Sequence, residues 1–255
     1  MDSCLIRRTD LAAFLESLSN DFEVIAPRRS GPDEVVFDTL APGQDPELDY
    51  VNTLLPPKSL FFERREVLFH IEGLRHPKIV PPPAPKPIAV FGMRSCDATG
   101  LGFLERFFAE REFEDATVTE RIRSSLRMTL SCQKPGEDCF CVCCEGGPFL
   151  TQYFDLQFTD LGDRFLVEVG THRGEAAIRL GGNLFFPATE KEEQRKRELV
   201  DGVDSLFTRR SYMSRGIKML SLDRIPAETW EKWAEDCQSC GGCCYVCPTC
   251  SRFTI

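Results

Sequence analysis

The stretch that decides the fold is IAVFGMRSCDATGLGFLERFFAE, residues 88–110. Its first six residues form an apolar run that ends at Met93, which predicts a buried strand. A turn with the sequence RSCD follows, and ATGLGFLERFFAE then predicts a helix. Cys96 therefore lies at a strand-to-helix turn, where a helix N-terminus is expected to lower the pKa of a thiol and to attract anions.

The sequence on both sides continues this alternation of strands and helices. Residues 128–132, MTLSC, predict a short strand that delivers Cys132 to its end. Residues 153–160 and 164–170 alternate around a Leu-Gly-Asp turn, which predicts a hairpin. The other predicted elements are a helix at 9–20 capped by Thr9, strands at 22–27 and 34–40, a helix resuming within 63–73, an extended proline-rich connector at 81–87, a charged helix at 189–203 and a last helix from 226.

Composition and charge are those of an ordinary globular chain. Of its 255 residues, 42% are hydrophobic and 28% are charged, which is enough apolar material for a packed core. The net charge of −9 disfavours nucleic acid as a partner, because phosphate binding needs a basic face. The sequence shows no apolar run of signal-peptide or membrane-spanning length, so we expect a cytoplasmic protein.

Cysteine is the residue type whose distribution is unusual. Of 13 cysteines, six lie within residues 96–144 and six within residues 237–250, while Cys4 stands alone. A disulfide scaffold would be short and secreted, and an odd number of cysteines fits disulfide pairing poorly. Thiols at this density in a reducing cytoplasm indicate bound metal.

The C-terminal cysteines match a known iron–sulfur pattern. In CQSCGGCCYVCPTC, residues 237–250, four cysteines have the spacing C-x2-C-x2-C-x3-C, and a proline follows the fourth. This is the spacing of bacterial ferredoxins, which bind [4Fe–4S] clusters. Structural zinc, the alternative, usually takes two C-x2-C pairs separated by a longer spacer. The predicted ligands are Cys237, Cys240, Cys243 and Cys247.

The fourth position of this run leaves the ligand set open. In two-cluster ferredoxins the cysteine before the proline ligates the other cluster, and this sequence has no second run. Cys247 therefore belongs to one cluster or to the other, and Cys244 and Cys250 are spare thiols. We expect the rest of a ferredoxin module to come from further sequence or from a partner. The predicted organisation is an α/β domain of mixed α+β content at residues 1–225, then a partial ferredoxin-like [4Fe–4S] module at residues 226–255.

The internal cysteines form a second candidate site. Cys96 and Cys132 each follow a predicted strand, and the carboxyl ends of parallel strands lie at one edge of a sheet. Cys139 and Cys141, in the loop after Cys132, point in similar directions if the chain between them is extended. A second cluster is the leading interpretation of these four residues, zinc is the next, and unligated thiols are the third.

The sequence contains no signature of an independent active site. The three histidines, His70, His76 and His172, form neither a metal pair nor a triad. No Gly-x-Gly-x-x-Gly motif follows a predicted strand, so we expect no nicotinamide bound to this chain. The chain is therefore predicted to have no catalytic residue of its own.

Five segments, taken in order, resemble one protein family. They are NTLLPPKSLFFERREVLF (52–69), VFGMRSCDATGL (90–101), SCQKPGEDCFC (131–141), FDLQFTDLGDRFLVEVGTHRG (154–174) and CQSCGGCCYVCPTC (237–250). They are similar to the beta-type iron–sulfur (4Fe–4S dicluster) subunits of cytoplasmic sulfur-reducing hydrogenases and to the A subunit of anaerobic sulfite reductase. Ser95 replaces the family's usual proline, and Cys143 and Cys144 are not expected from the family. Family members usually continue with a second ferredoxin run.

The resemblance implies electron transfer within a cytoplasmic multi-subunit oxidoreductase. Members of the family relay electrons between a flavin- and nicotinamide-binding subunit and a catalytic subunit, such as a hydrogenase or a sulfite or sulfur reductase. We expect one [4Fe–4S] cluster at the C-terminal run, and a second at the internal cysteines is the leading interpretation of that site. Two alternatives stay open, namely a zinc-stabilised structural or assembly subunit and a catalytic iron–sulfur subunit that reduces sulfur species itself.

Overall fold

A mixed sheet of eight strands organises the part of the chain that the structure describes. The computed structural model describes residues 3–251 except 64, 74, 84, 111, 113, 145 and 209. The strands are β1 (Ser3–Arg7), β2 (Glu23–Arg29), β3 (Val35–Thr39), β4 (His70–Glu72), β5 (Lys78–Val80), β6 (Ile88–Met93), β7 (Leu126–Leu130), β8 (Leu156–Asp160), β9 (Arg164–Val169) and β10 (Phe185–Pro187). The sheet order is β10-β1-β9-β8-β7-β6-β2-β3, and β4 pairs with β5 separately.

The centre of the sheet is parallel and its outer strands are antiparallel. Strands β2, β6, β7 and β8 pair side by side in parallel, so their carboxyl ends share one edge. Strand β6 is buried from Ala89 onward, as expected for a strand covered on both faces. The pairing of β6 with β7 shifts between Phe91 and Met93, which marks a bulge immediately before the first cysteine turn.

The described part of the chain also contains α-helices, and some of them cover the two faces of the sheet. The helices are α1 (Leu11–Ser17), α2 (Ser95–Ala109), α3 (Ala116–Ser124), α4 (His172–Gly181), α5 (Glu190–Val203), α6 (Met213–Ser221), α7 (Ala227–Asp236) and α8 (Gly242–Val246). On one face, Phe14 of α1 and Ala177 of α4 share a core with Phe91 and Phe158. On the other face, α2 and α3 share a smaller core with Phe61. The predicted α/β class is thus confirmed.

Two predictions about local structure are wrong. The sequence at residues 63–73 predicts a helix, but its described part contains strand β4, whose residues are all exposed. The cross-strand pair Ile71 and Ile79 joins β4 to β5, so a pairing 8 residues away in sequence replaces the helix. Thr9 does not cap α1 either, because a 3-10 helical turn at Arg8–Asp10 precedes the helix and Asp10 occupies the cap position.

The last three helices differ from the rest because none of them has a buried residue. Helices α6 and α7 are amphipathic, and their residues Ile217, Leu220 and Trp233 are 61%, 59% and 60% exposed. Within the described residues, no helix has both the length and the apolar content needed to cross a membrane. The predicted boundary between residues 225 and 226 stays a prediction.

We expect Asp155→Asn to lower the free energy of unfolding by about 1–3 kcal/mol. The buried Asp155 carboxylate accepts hydrogen bonds from the Arg127 backbone at 2.7 Å and from Thr171 Oγ1 at 2.5 Å. It also balances the guanidinium groups of Arg127 and Arg173, each 3.8 Å away, and a neutral amide would not. Chemical denaturation followed by circular dichroism measures the change. Asp163→Asn, in an exposed ion pair, is the control, and an equal loss in both variants would contradict the prediction.

Candidate metal centre

The first two internal cysteines lie where two parallel strands end. Cys96 is in the first turn of α2, three residues after β6 ends at Met93, and Cys132 lies two residues after β7 ends at Leu130. The carbonyl oxygen of Pro148 accepts hydrogen bonds from the Cys132 backbone at 3.1 Å and from Ser95 Oγ at 2.6 Å. This shared acceptor ties the end of β7 to the start of α2.

The other two internal cysteines lie in the loop that follows β7. The Cys139 sulfur accepts a hydrogen bond from the Gly136 backbone at 3.2 Å, and Cys141 begins a 3-10 helical turn, Cys141–Cys143. The backbone amides of Gly146 and Gly147 both donate to the Cys141 carbonyl at 3.3 Å. A Cβ on Gly146 would lie 3.5 Å from Thr99 Oγ1, so this loop folds against the first turns of α2.

The thiols of the internal cysteines lie close enough together to affect one another's ionisation. Cys96 keeps an exposed surface, but the surrounding protein desolvates its thiol and raises its pKa, and Asp97, Cys141 and Cys132 raise it further. Desolvation likewise raises the pKa of Cys141 to about 11, with contributions from Cys132 and Cys139. The expectation that the helix N-terminus lowers the pKa of Cys96 is therefore wrong for the free thiol, because desolvation and acidic neighbours outweigh the helix dipole.

A buried cation lies beside this group of thiols. Arg94 is only 7% exposed, and its guanidinium carbon lies 4.0 Å from the centre of the Tyr50 ring. The guanidinium donates to the Tyr50 carbonyl, while the buried Nε has no hydrogen-bond partner among the described residues. Its charge lowers the pKa of Cys132 and so opposes the effect of desolvation there. A buried guanidinium with an unused donor suits an anionic group held by the neighbouring thiols.

The internal thiols are not arranged around one point. Among the residues that the structure describes, no three His, Cys, Asp or Glu side chains converge closely enough to hold a single metal ion. Four thiolates about 2.3 Å from one zinc ion would have to converge in that way. In a [4Fe–4S] cluster each cysteine binds a different iron atom, so the sulfurs stand farther apart. The chemistry of four thiols beside a buried cation is compatible with an anionic cluster.

The C-terminal cysteines lie on a short loop and a single short helix. The sulfurs of Cys237 and Cys240 accept backbone hydrogen bonds at 3.4 and 3.5 Å, and both residues are exposed. Cys243 and Cys244 lie on α8, and hydrogen bonds to the sulfurs of Cys250 and Cys243 raise the pKa of the Cys244 thiol. The structure thus brings the two spare cysteines close to one predicted ligand, but it does not gather three sulfurs of the run at one point within the described chain.

The C-terminal run is held against the α/β domain at two positions. A Cβ on Gly100 of α2 would lie 2.8 Å from Cβ of Pro248, so the two residues are in close contact. The ammonium of Lys58 donates hydrogen bonds to the carbonyls of Cys244, Cys247 and Cys250. The residues packed between these contacts are Pro57, Lys58, Phe61, Asp97, Leu101 and Pro248, and they leave only a narrow crevice.

These contacts place the two cysteine groups next to each other across one turn of α2. Cys96 and Gly100 are four residues apart on that helix, a rise of about 6 Å. Gly100 contacts Pro248, which follows Cys247 directly in sequence. Sequence reasoning assigned no role to Arg94, Tyr50 or Lys58. Their only signal was that they lie in or near segments resembling the family.

Comparison with known proteins identifies a relative of this chain. It is 28% identical over 208 residues to the beta subunit of sulfhydrogenase 2 from Pyrococcus furiosus. The matched region covers 82% of this chain and 60% of that relative, so the chain spans less than two thirds of the relative's length. No family model and no solved structure matches the chain. This similarity to a sulfhydrogenase beta subunit confirms the resemblance seen in the sequence motifs.

Proposed function

We propose that this chain is an iron–sulfur electron-transfer subunit of a multi-subunit oxidoreductase of the sulfur-reducing hydrogenase type. One observation carries the proposal: two groups of cysteines lie on either side of one turn of α2, and a buried arginine adjoins the first group. Two redox centres that lie close together are what a relay of electrons requires. The similarity to a sulfhydrogenase beta subunit supports the same assignment.

Each cysteine group would hold one [4Fe–4S] cluster. The internal ligands would be Cys96, Cys132, Cys139 and Cys141, and the C-terminal ligands would include Cys237, Cys240 and Cys243. Cys247, Cys244 and Cys250 compete for the remaining C-terminal position, and the contacts of Cys244 with Cys243 and Cys250 keep both spare thiols in the set. When bound, such clusters accept and release single electrons.

The residues around the internal group would retain an anionic cluster. The unused Nε of Arg94 can donate a hydrogen bond to a thiolate or sulfide, and the Tyr50 ring holds the guanidinium in place by stacking against it. A hydrogen bond or a positive charge near the sulfurs raises the reduction potential of a cluster. Arg94 would thereby make the internal centre easier to reduce.

We infer from the resemblance that electrons enter from a flavin- and nicotinamide-binding subunit and leave to a catalytic subunit in the cytoplasm. The exposed apolar faces of α6 and α7, which include Ile217, Leu220 and Trp233, suit contact with other subunits. The relative is itself named as the beta subunit of a larger enzyme. Substrate chemistry would belong to a neighbouring subunit.

Anaerobic metal analysis tests this function. Chain purified without oxygen is expected to be coloured, to bleach on reduction, and to contain about eight iron atoms and eight acid-labile sulfides for two clusters. Colourless protein with stoichiometric zinc would instead support the structural alternative. Reduction of polysulfide by the isolated chain, with reduced viologen as donor, would support the catalytic alternative.

A further inference from the structure

We propose that Lys58 is a positioning residue that fastens the C-terminal cysteine loop, residues 242–250, to the α/β domain. Its ammonium donates to the carbonyl oxygens of Cys244 at 2.7 Å, Cys247 at 2.8 Å and Cys250 at 3.0 Å. An ammonium has three N–H donors, so all of them are used on this loop. The significance of this contact for electron transfer rests on the proposed function, whereas the fastening itself does not.

Two of the three acceptors lie at the C-terminal end of the short helix α8, and the third, Cys250, lies in the turn that follows it. Cys244 lies within α8, and Cys247 is its C-cap residue. The last four carbonyls of a helix lack intrahelical donors, and a lysine at that end can supply hydrogen bonds and a favourable charge. Because α8 has only five residues, little else in the helix itself stabilises it. Lys58 therefore determines both where the loop lies and whether α8 forms.

Lys58 is well suited to this role because its own backbone is held rigidly. It lies in a 3-10 helical turn, Pro57–Leu60, that follows Pro56. The Lys58 carbonyl accepts hydrogen bonds from the backbone of Phe61 at 3.0 Å and of Phe62 at 2.8 Å. Phe61 is fully buried in the core formed with α2 and α3. The ammonium is thus carried by a turn anchored in the domain core.

The same contact sets the electrostatics of the C-terminal centre. A ligated cysteine loop is anionic, and Lys58 places a positive charge against its backbone. This charge favours the reduced, more negative state of a cluster bound there and so raises its reduction potential. Lys58 therefore both positions the second centre beside α2 and shifts its potential.

Hydrogen exchange of the full chain, purified without oxygen, tests the fastening. Lys58→Met is expected to speed amide exchange in residues 242–250 by at least about tenfold, with no change in β6 and β7. Lys58→Arg keeps the charge and the donors and should retain most of the protection. The control is Lys86→Met, because Lys86 is exposed and donates to a single carbonyl, that of Ser19 at 2.6 Å.

Each outcome of this experiment supports or overturns a stated role of Lys58. Unchanged exchange at residues 242–250 in Lys58→Met, or equal loss in Lys58→Arg, overturns the fastening role. If Lys58→Met also speeds exchange in β6 and β7, Lys58→Gln is measured instead, because its amide keeps two donors. Residues 242–250 should then lose only part of their protection against exchange. A lowered potential of the C-terminal cluster in Lys58→Met, absent in Lys58→Arg, supports the electrostatic role, and an unchanged potential overturns it. If the wild-type chain lacks iron and Lys58→Met still exchanges faster than it at residues 242–250, the proposed function is refuted and the fastening role stands.

Discussion

Replacing Cys132 and Cys141 together by alanine is expected to remove about four iron atoms and four sulfides per chain while the α/β domain stays folded. Both thiols lie in the internal group, where each raises the pKa of Cys96. Neither side chain belongs to the two cores that hold the sheet and its helices together. Iron and sulfide analysis of anaerobic protein measures the loss, and circular dichroism checks the fold.

The matched control for this double variant is Cys4→Ala. Cys4 lies in β1, where its thiol donates to the Val167 carbonyl at 3.8 Å and burial raises its pKa to about 11. It contacts neither cysteine group, so its replacement should leave the iron content unchanged. An iron content in the Cys132 and Cys141 double variant equal to that of the wild-type chain would show that these internal cysteines are not ligands.

Gly100→Ala is expected to detach the C-terminal loop from the domain without weakening the domain. Alanine is favoured over glycine inside a helix by about 0.5–1 kcal/mol. The new Cβ, however, would lie 2.8 Å from Cβ and 3.3 Å from Cγ of Pro248. The helix is packed into the core, whereas the loop is exposed, so we expect the loop to move.

Two measurements check this result. Amide exchange in residues 242–250 should accelerate while the thermal unfolding temperature of the domain holds or rises. The magnetic coupling between the two reduced clusters, seen in electron paramagnetic resonance spectra, should weaken because the centres separate. Gly202→Ala in α5 is the control, since a Cβ there meets nothing within 4 Å, and it should raise stability without affecting the loop. Unchanged exchange and coupling in Gly100→Ala would contradict the docked arrangement.

Local sequence patterns predicted those helices and strands whose apolar residues pack against the sheet or its core. The apolar run at 88–93, the hairpin around Gly162 and the charged helix ending at Val203 all agree with the structure. The error at residues 63–73 has a physical cause, because exposed residues of β4 take their partners from β5 rather than from the core. A local pattern of apolar residues does not reveal which surface will cover them.

The amino-acid sequence by itself determined the donor chemistry of this protein: thirteen thiols, two dense groups of them, and a ferredoxin-type spacing that depends only on residues close together in the chain. Only the tertiary structure showed what surrounds those thiols. Lys58 meets carbonyls 186 to 192 residues away, and Arg94 stacks on a ring 44 residues before it. Such contacts depend on how the sheet and α2 bring distant segments together, and no spacing within a short motif encodes that geometry.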